Sequence, residues 1–223
     1  MGSARFWIAL KVILLAAAMS VTVSACSNIY YNAMDRLGYE KRDILVTRVE
    51  RSRDAQKDAQ ETFRDALERY QSVVDTPETE LRERYEEVRA AYEASEDAAD
   101  NVRSRIDDVE SVAEDLFGEW ESELDRYTNQ ELRRSSESQL SATRDQYEQL
   151  IAQMRQTEAR MEPVLRTFED QMLYLRHNLN AQAIGALRTE LSQIRQDVDQ
   201  LVENMENSIA QSEAFIRQLR NEN

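Results

Sequence analysis

The chain has 223 residues, a formal net charge of −15 and a pI near 4.6. So acidic a surface excludes steering to nucleic acid or anionic headgroups by the overall field. With 4 glycines and 2 prolines, tight turns are few and folds built from many short strands are excluded; 32% charged residues beside a recurring apolar stripe point to long amphipathic helices.

The N-terminal stretch comes first. Arg5 and Lys11 are the only charges before Asp35, and Val12 to Val23 is nearly all apolar. A membrane span needs about 20 apolar residues, so this run fits the core of a secretory signal better. Val23-Ser24-Ala25-Cys26 resembles a bacterial lipobox, in which the thiol is lipidated and cleavage makes the cysteine the first residue. Cys26 is the one cysteine of the chain and has no thiol to pair with. The alternatives are an ordinary signal with an idle thiol or an uncleaved anchor. Ser27, where aspartate is absent, resembles outer-membrane cargo. The expectation is a cleaved leader over 1–25, a lipidated tether over 26–40, and a mature chain two units more negative still.

Four apolar runs with alternating spacings of three and four follow. The first passes from Leu45 through Ser52, Gln56 and Phe63 to Val73, and the second from Leu81 through Ser95 and Ile106 to Trp120. The third goes from Leu140 through Met154 and Phe168 to Leu175, and the fourth from Ile184 through Val198 and Ser212 to Leu219. Sustained seven-residue periodicity with charged flanks predicts helices over about 41–74, 77–127, 129–178 and 181–220, packed as a coiled coil. Thr76-Pro77 suits a helix start, Thr128 to Glu131 has the spacing of a capping box, and Asn180 can cap the fourth helix. Short connections make successive helices antiparallel. The expected fold is all-α: an elongated antiparallel four-helix rod over 41–223, preceded by a signal-peptide helix.

Three stretches depart from a plain rod. Folding the chain at its turns brings Gln56, Ser95 and Pro163 to about one height, a polar waist that could act as a hinge or hold a small or lipidic ligand. Pro163 removes a helical hydrogen bond and should kink rather than break the third helix. At the second turn, Phe117, Trp120, Leu124 and Tyr127 either close the core against Ile29, Tyr30, Tyr31 and Leu37 or, with Trp120, Tyr127, Arg133 and Arg134, form a candidate membrane-proximal contact. Gly118 there suggests close helix approach or a local bend. At the opposite turn, Tyr174, Arg176, His177, Asn178 and Asn180 cluster donors and an aromatic ring. Capping explains the asparagines, leaving Tyr174 and Arg176 as a candidate partner surface.

Chemistry-bearing motifs are missing. The single histidine, His177, cannot make a two-histidine metal site and suits a helix C-terminus. There is no glycine-rich phosphate loop and no nucleophile elbow. Between Ile106 and Arg126 the charges are all acidic, which reads as a solvated face or, less simply, a weak divalent-cation site. The expectation is therefore no enzyme, no cofactor and no metal.

The segments YYNAMDRLGYEKRDILVTRVERSRDAQKDAQETF, LFGEWESELDRYTNQELRRSSESQL and QMLYLRHNLNAQAI resemble an uncharacterised Gram-negative lipoprotein family, domain of unknown function 2959. The resemblance implies a periplasm-facing helical lipoprotein and supplies no catalytic residue. Together these readings predict a lipid-anchored, non-catalytic scaffold of the outer membrane. Its partners would be the membrane through Cys26 and an envelope protein, with homo-oligomers possible; a waist-binding module and a self-associating envelope element are the alternatives.

Overall fold

The computed structural model describes residues 41–74, 81–178 and 181–221. The leader, Cys26, the Thr76-Pro77 turn and Asn180 lie outside these residues. The chain divides into two compact units, Met1–Asp43 and Ile44–Asn223, and from residue 44 onward the helices lie in the second.

Four helices carry the fold: α1 over 41–74, α2 Leu81–Leu124, α3 Gln130–His177 and α4 Ala181–Asn221. At 1.5 Å per residue, α2, α3 and α4 rise about 66, 72 and 62 Å. Helices this long are marginal alone in water and gain their stability from burying one face. The seven-residue stripe supplies that face. Leu45, Val49, Phe63 and Tyr70 of α1 are buried, as are Val88, Val102 and Ile106 of α2, Met154, Met161 and Phe168 of α3, and Ile194, Val198 and Leu201 of α4.

Cross-helix contacts fix the directions. Arg48 pairs with Asp108 at 3.1 Å and Arg69 with Glu87 at 3.9 Å, so α2 runs back along α1. Arg103 meets Glu158 at 2.8 Å and Arg144 meets Glu121 at 2.7 Å, turning α3 against α2. Lys57 meets Glu213 at 3.3 Å and Arg220 meets Glu50 at 2.7 Å, which sets α4 antiparallel to α1. Across the diagonal α1 and α3 run parallel: Ser52 donates to the Met154 sulfur at 3.7 Å and the Phe63 and Phe168 rings stack at 6.3 Å. The result is an up-down-up-down bundle, with no strand among the described residues.

The stripe is wider than a two-stranded seam. Val46, Leu67, Val74, Phe117, Leu165, Val202 and Ile216 flank it and are also buried, because each helix faces two neighbours as well as the diagonal one.

Some boundaries differ from the sequence reading. Helix α2 stops at Leu124 rather than at 127, where the Arg126 and Tyr127 N–H groups donate to the carbonyls of Glu123 and Leu124 at 3.0 and 3.5 Å. The cap of α3 is Asn129, not Thr128. Its extended backbone lets Oδ1 accept from the N–H groups of Glu131 at 2.9 Å and Leu132 at 3.3 Å. Asparagine is at least as good a cap as threonine, and starting one residue later forfeits the box spacing. Gly118 marks no close approach, since a Cβ there would meet nothing within 4 Å.

Helix α3 continues unbroken through Pro163, whose carbonyl accepts from Thr167 Oγ1 at 3.1 Å. Proline offers no N–H to the preceding turn and its ring crowds that turn's carbonyl. Pro163→Ala should therefore raise the stability of the bundle by up to about 3 kcal/mol, read as a higher urea midpoint at unchanged m. An unaltered midpoint would show that α3 carries no penalty there.

Candidate functional site

The middle of the bundle is lined with polar side chains. Ser52 and Gln56 come from α1, Thr157 from α3, and Ser208 and Ser212 from α4; all five are fully buried, at 0% exposure. Thr157 Oγ1 donates to the Gln153 carbonyl at 2.9 Å and also reaches the Asn204 carbonyl at 3.3 Å, while Ser212 donates to the Ser208 carbonyl at 2.8 Å. Both amide atoms of Gln56 and the hydroxyl of Ser208 have no hydrogen-bond partner. A carboxamide brings two donors and an acceptor oxygen, and leaving them unmatched in an apolar interior costs about 1–3 kcal/mol.

The layer is only partly the waist read from sequence. The Arg48–Asp108 and Arg69–Glu87 pairs set the α1–α2 register, and by interpolation Gln56 comes level with the Ala99 end of α2. Ser95, also fully buried, comes level with position 61 of α1 and so with Ser208, which the α1–α4 pairs set opposite position 62; its hydroxyl donates to the Ala91 carbonyl at 2.8 Å. Pro163 is exposed and lies about two turns along α3 from Thr157. Ser208 and Ser212 were the overlooked members. The signal was present, as two successive small polar residues in the buried stripe of the fourth run.

At the α3–α4 end, Leu173 and Tyr174 are 39% and 38% exposed, and Arg176 and His177 are exposed in the last turn of α3. Asn178 is spent on the helix end: its N–H donates to the Leu175 carbonyl at 3.1 Å and its Nδ2 to the Tyr174 carbonyl at 3.0 Å. His177 stands where the helix dipole favours a cation.

At the α2–α3 end the indole of Trp120 donates to Ser136 Oγ at 2.9 Å, leaving the ring half-buried. Tyr127 is exposed, Arg133 pairs with Asp125 at 3.2 Å, and Arg134 donates to the Gln130 carbonyl at 3.2 Å. Phe117 meets Tyr147 edge-on at 5.3 Å and carries the Arg144 guanidinium 5.1 Å above its ring. The two arginines of this group are held by their own turn, whereas Tyr174 and Arg176 show no such tie.

The acidic run of α2 is met by cations from neighbouring helices. Arg155 binds Asp107, Glu110 and Glu158, and these hydrogen bonds raise its pKa above the usual arginine value; Asp108 takes Arg48. Such part-exposed pairs each contribute about 1 kcal/mol or less. Among the described residues no group of three or more histidine, cysteine or acidic side chains is arranged to hold a metal ion. Burial pushes the Tyr147 hydroxyl up to about 12 and Tyr70 higher still. No described helix is long and apolar enough to cross a membrane.

Residues 30–219 match the family model described as Protein of unknown function (DUF2959). No curated protein and no solved structure matches the chain.

The unmatched amide in the central layer makes a direct prediction. Gln56→Met keeps the volume and removes the stranded polar atoms, so it should stabilise the bundle by about 1–2 kcal/mol in chemical denaturation. A loss of stability would show that the Gln56 amide is well satisfied in solution.

Proposed function

The chain belongs to the DUF2959 family of proteins of unknown function, and from that starting point we propose that it is a lipid-anchored, periplasm-facing helical scaffold of the outer membrane without catalytic activity. The anchoring half of this reading is carried by Cys26, the sole cysteine, placed behind a lightly basic start and a short apolar run. A lipidated cysteine needs no thiol partner, which accounts for its solitude in an oxidising compartment. The scaffold half is supported by what the helices are made of. Their interior is an apolar stripe interrupted by serine, threonine and glutamine, and the one histidine stands exposed at a helix end. Nothing in that interior pairs a nucleophile with a base.

The contact surface we assign to the envelope partner is the α3–α4 turn. Leu173 and Tyr174 expose adjacent apolar side chains there beside Arg176, and tyrosine and arginine are enriched in protein interfaces. A second reading is favoured by the stranded Gln56 amide: a small polar ligand held in the central layer. Among the described residues one surface groove opens between α3 and α4, and another opens between α1 and α4 at the height of the central layer.

Two experiments separate these claims. Cys26→Ser should leave an uncleaved precursor that no longer fractionates with the outer membrane; wild-type fractionation of that variant would refute the anchor. Tyr174→Ala combined with Arg176→Ala should keep the thermal transition and the membrane fraction but remove the envelope crosslinks made by the wild type. Crosslinks that persist, and vanish instead on Arg134→Ala, would move the working end to the α2–α3 turn.

A further inference from the structure

The seam between α3 and α4 is chemically unlike the others. Ion pairs join α1 to α2, α2 to α3 and α1 to α4, and among the described residues none joins α3 to α4. The sequence explains the difference. On the side of α3 turned toward α4 the chain places Gln139, Gln146, Gln149, Gln153 and Gln156. The matching side of α4 carries Asn204, Asn207, Gln211 and Gln218, with alanine at 142 and 214. Spacings of three, four and seven keep each set on one stripe. The Thr157–Asn204 contact puts the two stripes at the same height along the bundle. A groove of about 230 Å³ opens between them, walled by Gln146, Gln149, Gln211 and Gln218 over a floor of Leu150 and Phe215.

In a chain with 32% charged residues, the positions of this amide stripe carry neither a cation nor a carboxylate, and the exposed Asp145 and Glu203 lie along its outer edges. That narrows its occupant. Without cations it does not hold a polyanion, and without carboxylates it does not hold a basic peptide. Among the described residues the exposed large apolar ones, Ile44, Tyr127, Leu132, Leu173 and Tyr174, lie off this face, and the Phe215 ring at the groove floor is buried, so a saccharide finds no exposed ring to stack on. A carboxamide both donates and accepts, and a surface of carboxamides is therefore complementary to itself. Two copies, each with a net charge of −15, repel one another, and they approach at least electrostatic cost where the charge is missing. The small residues Ala142 and Ala214, both exposed, let helices come close.

We propose that the α3–α4 amide face is a self-association surface that pairs two copies of this chain about a two-fold axis. From 139 to 156 the stripe rises about 25 Å, and two packed helices are about 20 Å wide. The footprint is then about 500 Å² per copy and about 1,000 Å² in all, the lower bound for a specific interface. Such an area, filled with amides rather than rings, gives a weak and reversible dimer. This inference stands apart from the anchoring reading, because it concerns residues of the bundle alone.

The test is sedimentation equilibrium of the full-length chain in a non-ionic detergent, with reductant present so that Cys26 cannot bridge copies. The wild type should dimerise with a Kd on the order of 10 µM. Gln149→Glu with Gln211→Glu should weaken the dimer at least tenfold, and the control Ala94→Glu, on the exposed side of α2, should not. A copy carrying Gln149→Lys with Gln211→Lys should pair with the double-glutamate copy, which shows that both variants remain folded. A wild type that stays monomeric to about 200 µM overturns the proposal, as does a dimer indifferent to the glutamates. So does a monomer that instead co-sediments with glycan strands through Gln149, which would make the face a polysaccharide site.

Discussion

The hydroxyl of Tyr70 reaches across the bundle to the main-chain carbonyl of Phe168, and its ring lies stacked on the Phe168 ring at 4.7 Å. This contact joins α1 to α3, the diagonal pair that no turn connects. A seven-residue stripe alone does not say which heptad faces which, because sliding a helix by seven residues restores most apolar contacts. A buried phenol must find its acceptor, so a slip strands a polar group as well as losing a stacked pair. Phe63 stacks on the same Phe168 ring and extends the lock along α1.

The ion pairs follow from that register rather than create it. Arg48 comes opposite Asp108, Lys57 opposite Glu213 and Arg155 between Asp107 and Glu110, at positions that are all partly exposed. Each contributes little alone, but a slipped register would set acidic rows against one another in a chain that already carries excess negative charge. The acidic run of α2 is thus tolerated because α1 and α3 bring arginines to it. The α3–α4 seam lies outside this scheme: it is held by the stripe, with Thr157 donating to the Asn204 carbonyl, and among the described residues no ion pair crosses it. Helices α1 and α4 each bring two polar side chains to the central layer, Ser52 and Gln56 from one and Ser208 and Ser212 from the other.

Much of the fold was legible in the sequence. The residues picked by their spacing, from Leu45 to Val73 and from Leu81 to Leu116, are the ones that lie buried, because long amphipathic helices without interior breaks have one stripe to hide. The flanking row, such as Leu67, Leu165 and Ile216, was less visible, since its burial depends on how many neighbours each helix has. Levelling by turn positions reached the buried polar layer at Gln56 and Ser95 but set the exposed Pro163 beside them, because height along the bundle does not say which side of a helix is buried. Asn129 displaced Thr128 as the cap because either satisfies the first N–H groups and only geometry decides. The amide face escaped a reading that looked for charged or reactive residues; its signal was the absence of charge at flanking heptad positions of the third and fourth runs.

The scaffold role proposed above places function on surfaces. A bundle locked in one register presents its ends and its neutral side in fixed relation, which is what a scaffold requires. The central claim is that single register, and spin labels test it most directly. In a Cys26→Ser background, labels at positions 57 and 213 should show strong dipolar broadening, since the native Lys57 and Glu213 side chains touch at 3.3 Å. Labels at 57 and 199, two heptads or about 21 Å further along α4, should show none. Comparable broadening in both pairs would mean that the helices slide past one another, and would contradict the account.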